Sequence, residues 1–533
     1  MQSGATYTGT QNWSAGRLGI GLEGSTVSQT KGYISNVRLT VGQALYTTSF
    51  KPSTVPLTTT SQGATSSNVK VLCCNNSSVT GGTAGTITPS AYGDGGGSAS
   101  GPAASTNSPF DDPEGFQFGE EGDQNIIKCG EYVGNGNSNG PEVYLGWEPQ
   151  WVLIKASDRA AEWSIVDCIR GIVSGGNDAA LYPSESDSEV TSNDIIEVSA
   201  TGFRLKTTSQ LWNQDTKHYV YMAIRRPDGY VGKPPEAGTD AFAMDTGANT
   251  SSIPQFDSNF PVGFGLVRAT SSSDSWRAIA RLTQGYAVET DDSSAQFAGA
   301  VYYNFDSNVG MVSGSSWTSA YQGWMWKRGA GFDVVTYTGN GTGGRQIPHN
   351  LSKTPEMMWV KRRDGGSDWM VYHKNLNSGT TPYNWFLKLN SNIIESENSN
   401  RFGGAPSSVQ FTVGTDGDTN QNNAEYLAML FASVNGISKV GIYDGTGSSQ
   451  TITTGFQPRL LIIKEANGTG PWYILDTLRG WGVGDDQYMK LNDSNAQTNY
   501  NFGQPTSTGF IIDGGGANGI NGPTNKIIYY AHA

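Results

Sequence analysis

The chain has 533 residues, with 70 Gly, 22 Pro, 15% charged and 11% aromatic residues. Its glycine and proline content exceeds the ordinary share without reaching that of a low-complexity chain, and its aromatics exclude a disordered acidic polymer. A net charge of −13, with no basic cluster denser than Lys361-Arg362-Arg363, argues against nucleic acid, whose phosphates call for such clusters. No stretch approaches the roughly 18 apolar residues of a membrane span, so no membrane insertion is expected.

In chain order, residues 1–75 read first. Met1 to Thr10 is polar, without a basic start or an apolar core, so no secretory signal is expected. The four cysteines Cys73, Cys74, Cys129 and Cys168 are too few for a disulfide scaffold, which fits synthesis in a reducing cytoplasm. A strand pair is expected over Trp13 to Glu23. The text from Gly32 to Leu39, then Ala44 to Phe50, then Pro52 and Pro56, resembles the last third of a concanavalin-like (laminin-G-like) jelly roll. Such a module needs about twice this length, so 1–75 is a partial module: either another chain supplies the strands that its open sheet edge lacks, or this end is a reduced module. Residues 76–124 are rich in Gly and Ser and predict a flexible linker. Its end, Asp111 to Gln124, carries six acids and no base and reads as solvated.

From 125 onward a fourfold repeat organises the chain. A short apolar strand ends in a base, and a Trp follows eight positions later. The pairs are Lys155 and Trp163, Arg268 and Trp276, Lys361 and Trp369, and Lys464 and Trp472. Three units also carry a Tyr-x-Gly-x-Gly mark, at Tyr132-x-Gly134-x-Gly136, Tyr337-x-Gly339-x-Gly341 and Tyr443-x-Gly445-x-Gly447. The second unit lacks it and is degenerate. Strand-forming residues alternate with Gly, Asn, Asp, Ser and Pro, and sustained helical periodicity is absent, so each base-to-Trp piece reads as a β-hairpin. The fold class is all-β: tandem β-sandwich or jelly-roll domains joined by a Gly/Ser-rich linker. The units span 125–229, 230–328 (degenerate), 329–435 and 436–533. The four repeated tryptophans are expected to be buried and equivalent, each serving its own domain. Trp212, Trp317, Trp324 and Trp481 stand in polar text and are the candidates for sugar stacking.

The truncated jelly roll, the linker at Ser108 to Pro113 followed by Gly119 to Lys128, and the tandem units together resemble the large structural proteins of tailed phages that infect marine cyanobacteria and similar hosts. The most specific parts are Trp147 to Lys155, and Trp163 to Gly171 echoed by Pro471 to Gly480. The resemblance implies a virion fibre or fibre-like appendage, made in the host cytoplasm, forming a homotrimer. Such a protein docks on other virion proteins through its N-terminal module and contributes to attachment at a host-surface glycan. Alternatives are a capsid-attached fibre or decoration protein, a bacterial surface adhesin, which needs an export signal, and a virion glycan depolymerase, which needs one long catalytic domain.

Catalytic chemistry finds no foothold in the sequence, and no enzyme is expected. The histidines are His218, His349, His373 and His532, and His373 stands where other units have Asp167 and Asp476. No zinc spacing occurs. The Gly-x-Gly marks are followed by turns and strands, whereas a phosphate loop leads into a helix, so they read as hairpin turns. Asp416-Gly417-Asp418 and Asp485-Asp486 are the candidates for calcium. Asp291-Asp292 has no counterpart in the other units, and Asp167 with Arg170, like Asp476 with Arg479, reads as a structural ion pair. No cofactor, metal or catalytic residue is assigned, and the ligand-contact residues stay open.

Overall fold

The structure is a computed structural model. It describes residues 22–23, 28–29, 36–47, 53, 56–76, 82–85, 126–226, 235–249, 253–299, 303–314, 316–329, 331–514 and 519–533. The chain divides into two compact units, Met1–Gln124 and Asn125–Ala533. Among the described residues no helix is long and apolar enough to cross a membrane.

In the first unit Val37–Thr40 pairs antiparallel with Val69–Cys73, over a small core of Leu57, Ala64, Val69 and Leu72. Ala84 bridges Leu72, so part of the span read as linker lies against this strand. The Trp13–Glu23 strand pair lies largely outside the described residues, as does the acidic stretch 111–124. Cys73, Cys74, Cys129 and Cys168 are all free thiols.

The second unit is all-β and repeats one topology four times. In each module an opening strand pairs with the closing strand, the closing strand with the base-bearing strand, and that strand with the one after the repeated Trp. In the third module these are Phe332–Thr338, Glu425–Phe431, Met357–Arg362 and Met370–His373. In the first they are Ile127–Val133, His218–Ile224, Trp151–Ala156 and Ser164–Asp167. A smaller sheet lies opposite, such as Arg345–Pro348 with Gln410–Val413 in the third module.

Side chains on a strand alternate between faces, and in the second, third and fourth modules this alternation sorts the large sheet into two cores. Val360, Met358, Tyr426 and Tyr337 of the third module join Phe411 of its small sheet. Leu461, Ile463 and Tyr529 of the fourth join Phe510, and Val267, Ile279 and Met325 of the second join Phe256 and Trp317. The opposite faces meet in one shared core that includes Leu266, Trp276, Trp324, Trp359, Trp369, Ile462, Trp472 and Tyr530. This sharing departs from the expectation that each repeated Trp serves its own domain. In the second, third and fourth modules the base-bearing strands are buried on both faces, a pattern usual for fully buried strands, whereas Trp151–Ala156 of the first alternates half-buried and buried residues.

Candidate functional site: the interface shared by the modules

The repeated Trp opens a strand, and a side chain of its own module caps its backbone N–H. Asp291 caps Trp276 at 3.0 Å, Asn390 caps Trp369 at 3.0 Å, and Asn492 caps Trp472 at 2.8 Å. The ring then leaves its module. Trp276 donates its indole N–H to the Lys490 carbonyl at 2.7 Å, Trp472 to Lys388 at 2.8 Å, and Trp369 to Glu289 at 2.7 Å. Each acceptor stands two residues before the capping residue. The second module therefore reaches the fourth, the fourth the third, and the third the second.

A set of backbone bonds follows the same circuit. Gln497 donates to Thr270 at 2.8 Å, Gln296 to Arg363 at 2.7 Å, and Glu395 to Ala466 at 2.8 Å. Each donor stands seven residues after the carbonyl that receives an indole, and each acceptor two residues after the repeated base. A head-to-tail contact repeated until it closes makes a ring; here three modules of one chain close it.

The repeated bases sit inside this ring. Arg268 is fully buried, lies 5.1 Å from the Trp276 ring centre, and donates to the Asp493 carbonyl at 2.8 Å and to that of Asn495. Lys361 donates to Ser293 at 3.0 Å and Ser367 at 2.8 Å. Lys464 is spent on its own loop, at Glu465 and Gly468. Burial pushes both lysines down to about 8, since an ammonium ion is costly to desolvate. Burial likewise pushes His373 and His532 down to about 3, and the His532 ring lies 5.0 Å from that of Phe242 in the second module.

The first module docks beside the ring. Glu148 accepts two bonds from Arg328, at 2.6 and 2.7 Å. Ser174 donates its N–H to Leu282 at 2.8 Å, lies 2.8 Å from Thr336 through its hydroxyl, and accepts from Arg363 at 3.1 Å. Trp163 takes no part. It is 39% exposed, whereas Trp276, Trp369 and Trp472 are at most 1% exposed. The expectation of four buried, equivalent tryptophans thus holds for three. The reason is that these indoles are buried by a neighbouring module and not by their own sandwich.

Other expectations resolve in the same terms. Trp212, Trp317, Trp324 and Trp481 are all buried, so none presents an open stacking face. Trp324 lies on a central strand and donates to Asp476 at 3.0 Å. The pairs Asp167–Arg170 and Asp476–Arg479 both form, each at 2.6 Å. Asp291 does have counterparts, because Asn390 and Asn492 do the same capping. Asp416 caps a short helix and, like Asp418, faces Arg401. Asp486 accepts from Gly482 and Phe502, and burial pushes it up to about 6. Among the described residues no three His, Cys, Asp or Glu converge on a metal-sized site.

Three buried asparagines were missed by sequence reasoning. Asn213, Asn420 and Asn521 hold the Tyr-x-Gly-x-Gly turns. Asn420 accepts from the Asn340 N–H at 2.9 Å and donates to the carbonyls of Thr342 at 2.8 Å and Gly414 at 2.7 Å. A methyl group on Gly339 would stand 2.1 Å from the Gln421 carbonyl, and Gly341 has φ +69°, which is why glycine is needed at both. The capping asparagines were missed too, although Lys388-Leu389-Asn390 repeats as Lys490-Leu491-Asn492.

Fold and interface together define a class: an all-β protein of four repeated sandwich modules, three of which bind one another through a common sheet face. The chain belongs to the family described as a domain of unknown function, DUF7483, whose profile matches residues 122–226 and 319–533. The match takes in the first, third and fourth modules and omits most of the second. No curated protein matches the chain.

Proposed function

We propose that this protein is a non-enzymatic structural component of a tailed-phage virion, a fibre or fibre-like appendage that contributes to attachment at a host-surface glycan. The observation that carries the structural part is the closed circuit of indole bonds, Trp276 to Lys490, Trp472 to Lys388 and Trp369 to Glu289. The repeated element of the sequence is spent on module-to-module contact. Buried carboxylates support the same reading, being held by backbone N–H groups and ion pairs. Asp178, for example, accepts the N–H groups of Val173, Ile195 and Ile196. The virion assignment rests on the sequence resemblance, which also supports a capsid-attached fibre or decoration protein as the second reading.

Immunogold electron microscopy of purified particles tests the assignment. Label at the tail or its appendages is the expected result, and label on the capsid shell selects the second reading. Intact particles free of the protein overturn both. A glycan array probed with the full chain tests attachment separately, and binding to no surface glycan removes that part.

A further inference from the structure

The first module keeps every part of the ring-forming interface and, among the described residues, uses none of it. Strand register makes the correspondence explicit. Leu153 lies opposite Met222 as Trp359 lies opposite Met429 and Ile462 opposite Tyr530. Ile165 pairs with Leu181 as Val371 pairs with Leu387 and Ile474 with Met489. In the third and fourth modules all of these counterparts lie in the shared core. In the first, Leu181 is 36% and Val220 37% exposed beside Trp163.

The polar fittings are present too. Ser184 caps the Trp163 backbone N–H at 3.3 Å, in the place of Asp291, Asn390 and Asn492. Two residues earlier stands Tyr182, where the others have the carbonyl that receives an indole. The Tyr182 carbonyl accepts one local bond, from Glu185 at 2.9 Å, and an oxygen with two lone pairs has room for a second. Neither the Ser157 carbonyl nor the Glu189 amide, the counterparts of the backbone circuit, bonds to another module. An uncovered row of large apolar side chains on a sheet face marks an interaction surface, and the occupant of the matching face in the rest of the chain is in every case another copy of the module.

We infer that the uncovered face of the first module binds the first modules of two further copies of this chain, closing a second three-module ring between chains and making the protein a homotrimer. Trp163 of each copy inserts against the next, its indole N–H directed to the Tyr182 carbonyl. A head-to-tail contact that closes after three modules inside the chain closes after three between chains. The trimer does not depend on where the protein works, so the virion assignment and this interface stand or fall separately.

Sedimentation and light scattering on the full chain at about 10 μM test it, with hydroxyl-radical footprinting read by mass spectrometry. The expected result is a trimer in which Trp163 is oxidised as slowly as Trp369. The double variant Trp163→Asp, Leu181→Asp should sediment as a monomer with an unchanged circular dichroism spectrum. Tyr144→Asp, an exposed residue of the small sheet, should stay trimeric. A monomeric or dimeric wild type overturns the inference. So does a trimer that survives the double variant, or one in which Trp163 is oxidised as fast as Tyr144.

Discussion

One indole ring couples two modules through both its area and its N–H. Removing Trp369 takes away a fully buried ring and leaves the Glu289 carbonyl without its donor. Trp369→Ala should cost about 3–5 kcal/mol in denaturant unfolding. Trp163→Ala, at a dilution too low for self-association, should stay within about 1 kcal/mol of wild type, as exposed substitutions usually do; equal losses would contradict the division between ring and open face. His532 sets a second residue-scale expectation. Its buried imidazole resists protonation down to about pH 3, whereas an unfolded histidine takes up its proton near pH 6.5. Its folded pKa is depressed, so its contribution is intact above pH 6.5 and is lost as the pH falls towards 3. Replacing it by Phe should remove about 1.4 kcal/mol of stability loss per pH unit across that window. Thermal melts of both proteins at pH 7 and pH 4.5 would check this, and parallel profiles would refute it.

At the scale of elements, the turn held by Asn420 sets the entry to the third module. Asn420→Ala strands the Asn340 N–H and two carbonyls in a buried site, at a cost of about 2–4 kcal/mol; a change below about 1 kcal/mol in urea unfolding would show that water replaces the amide. The hairpins were legible because their signal is local: an apolar run, a base and a Trp at fixed spacing. The partners of Asn213, Asn420 and Asn521 were not, since each asparagine bonds to a loop more than 70 residues away. Nor could sequence separate the two faces of the base-bearing strands. The text from Trp151 to Ile154 is as apolar as that from Met357 to Val360, yet one is covered on a single face and the other on both. What covers a face is decided by where the other modules settle, and local text carries no mark of it.

At the scale of the molecule, the shared core makes the second, third and fourth modules thermodynamically dependent on each other. The expectation that each repeated Trp serves its own domain therefore gives way. Trp369→Ala should speed amide exchange in Phe264–Ala269 and Leu460–Glu465 as well as in its own module, and calorimetry of the wild type should show one transition for the ring. Exchange confined to the third module would restore the picture of separate domains.

The ring also has a schedule. Strand Lys526–His532 lies between Ser438–Asp444 and Leu460–Glu465, so the fourth module has no central strand until it arrives. At about 5–20 residues per second, the roughly 200 residues from Trp326, which ends the last strand of the second module's sheet, to His532 occupy the ribosome for on the order of 10–40 s. Throughout that interval the part of the second module's apolar sheet face that meets the fourth module waits uncovered, a natural client for a chaperone. The fourth module is the last to be made, and a chain cut short before Lys526 would leave that client with nothing to release it.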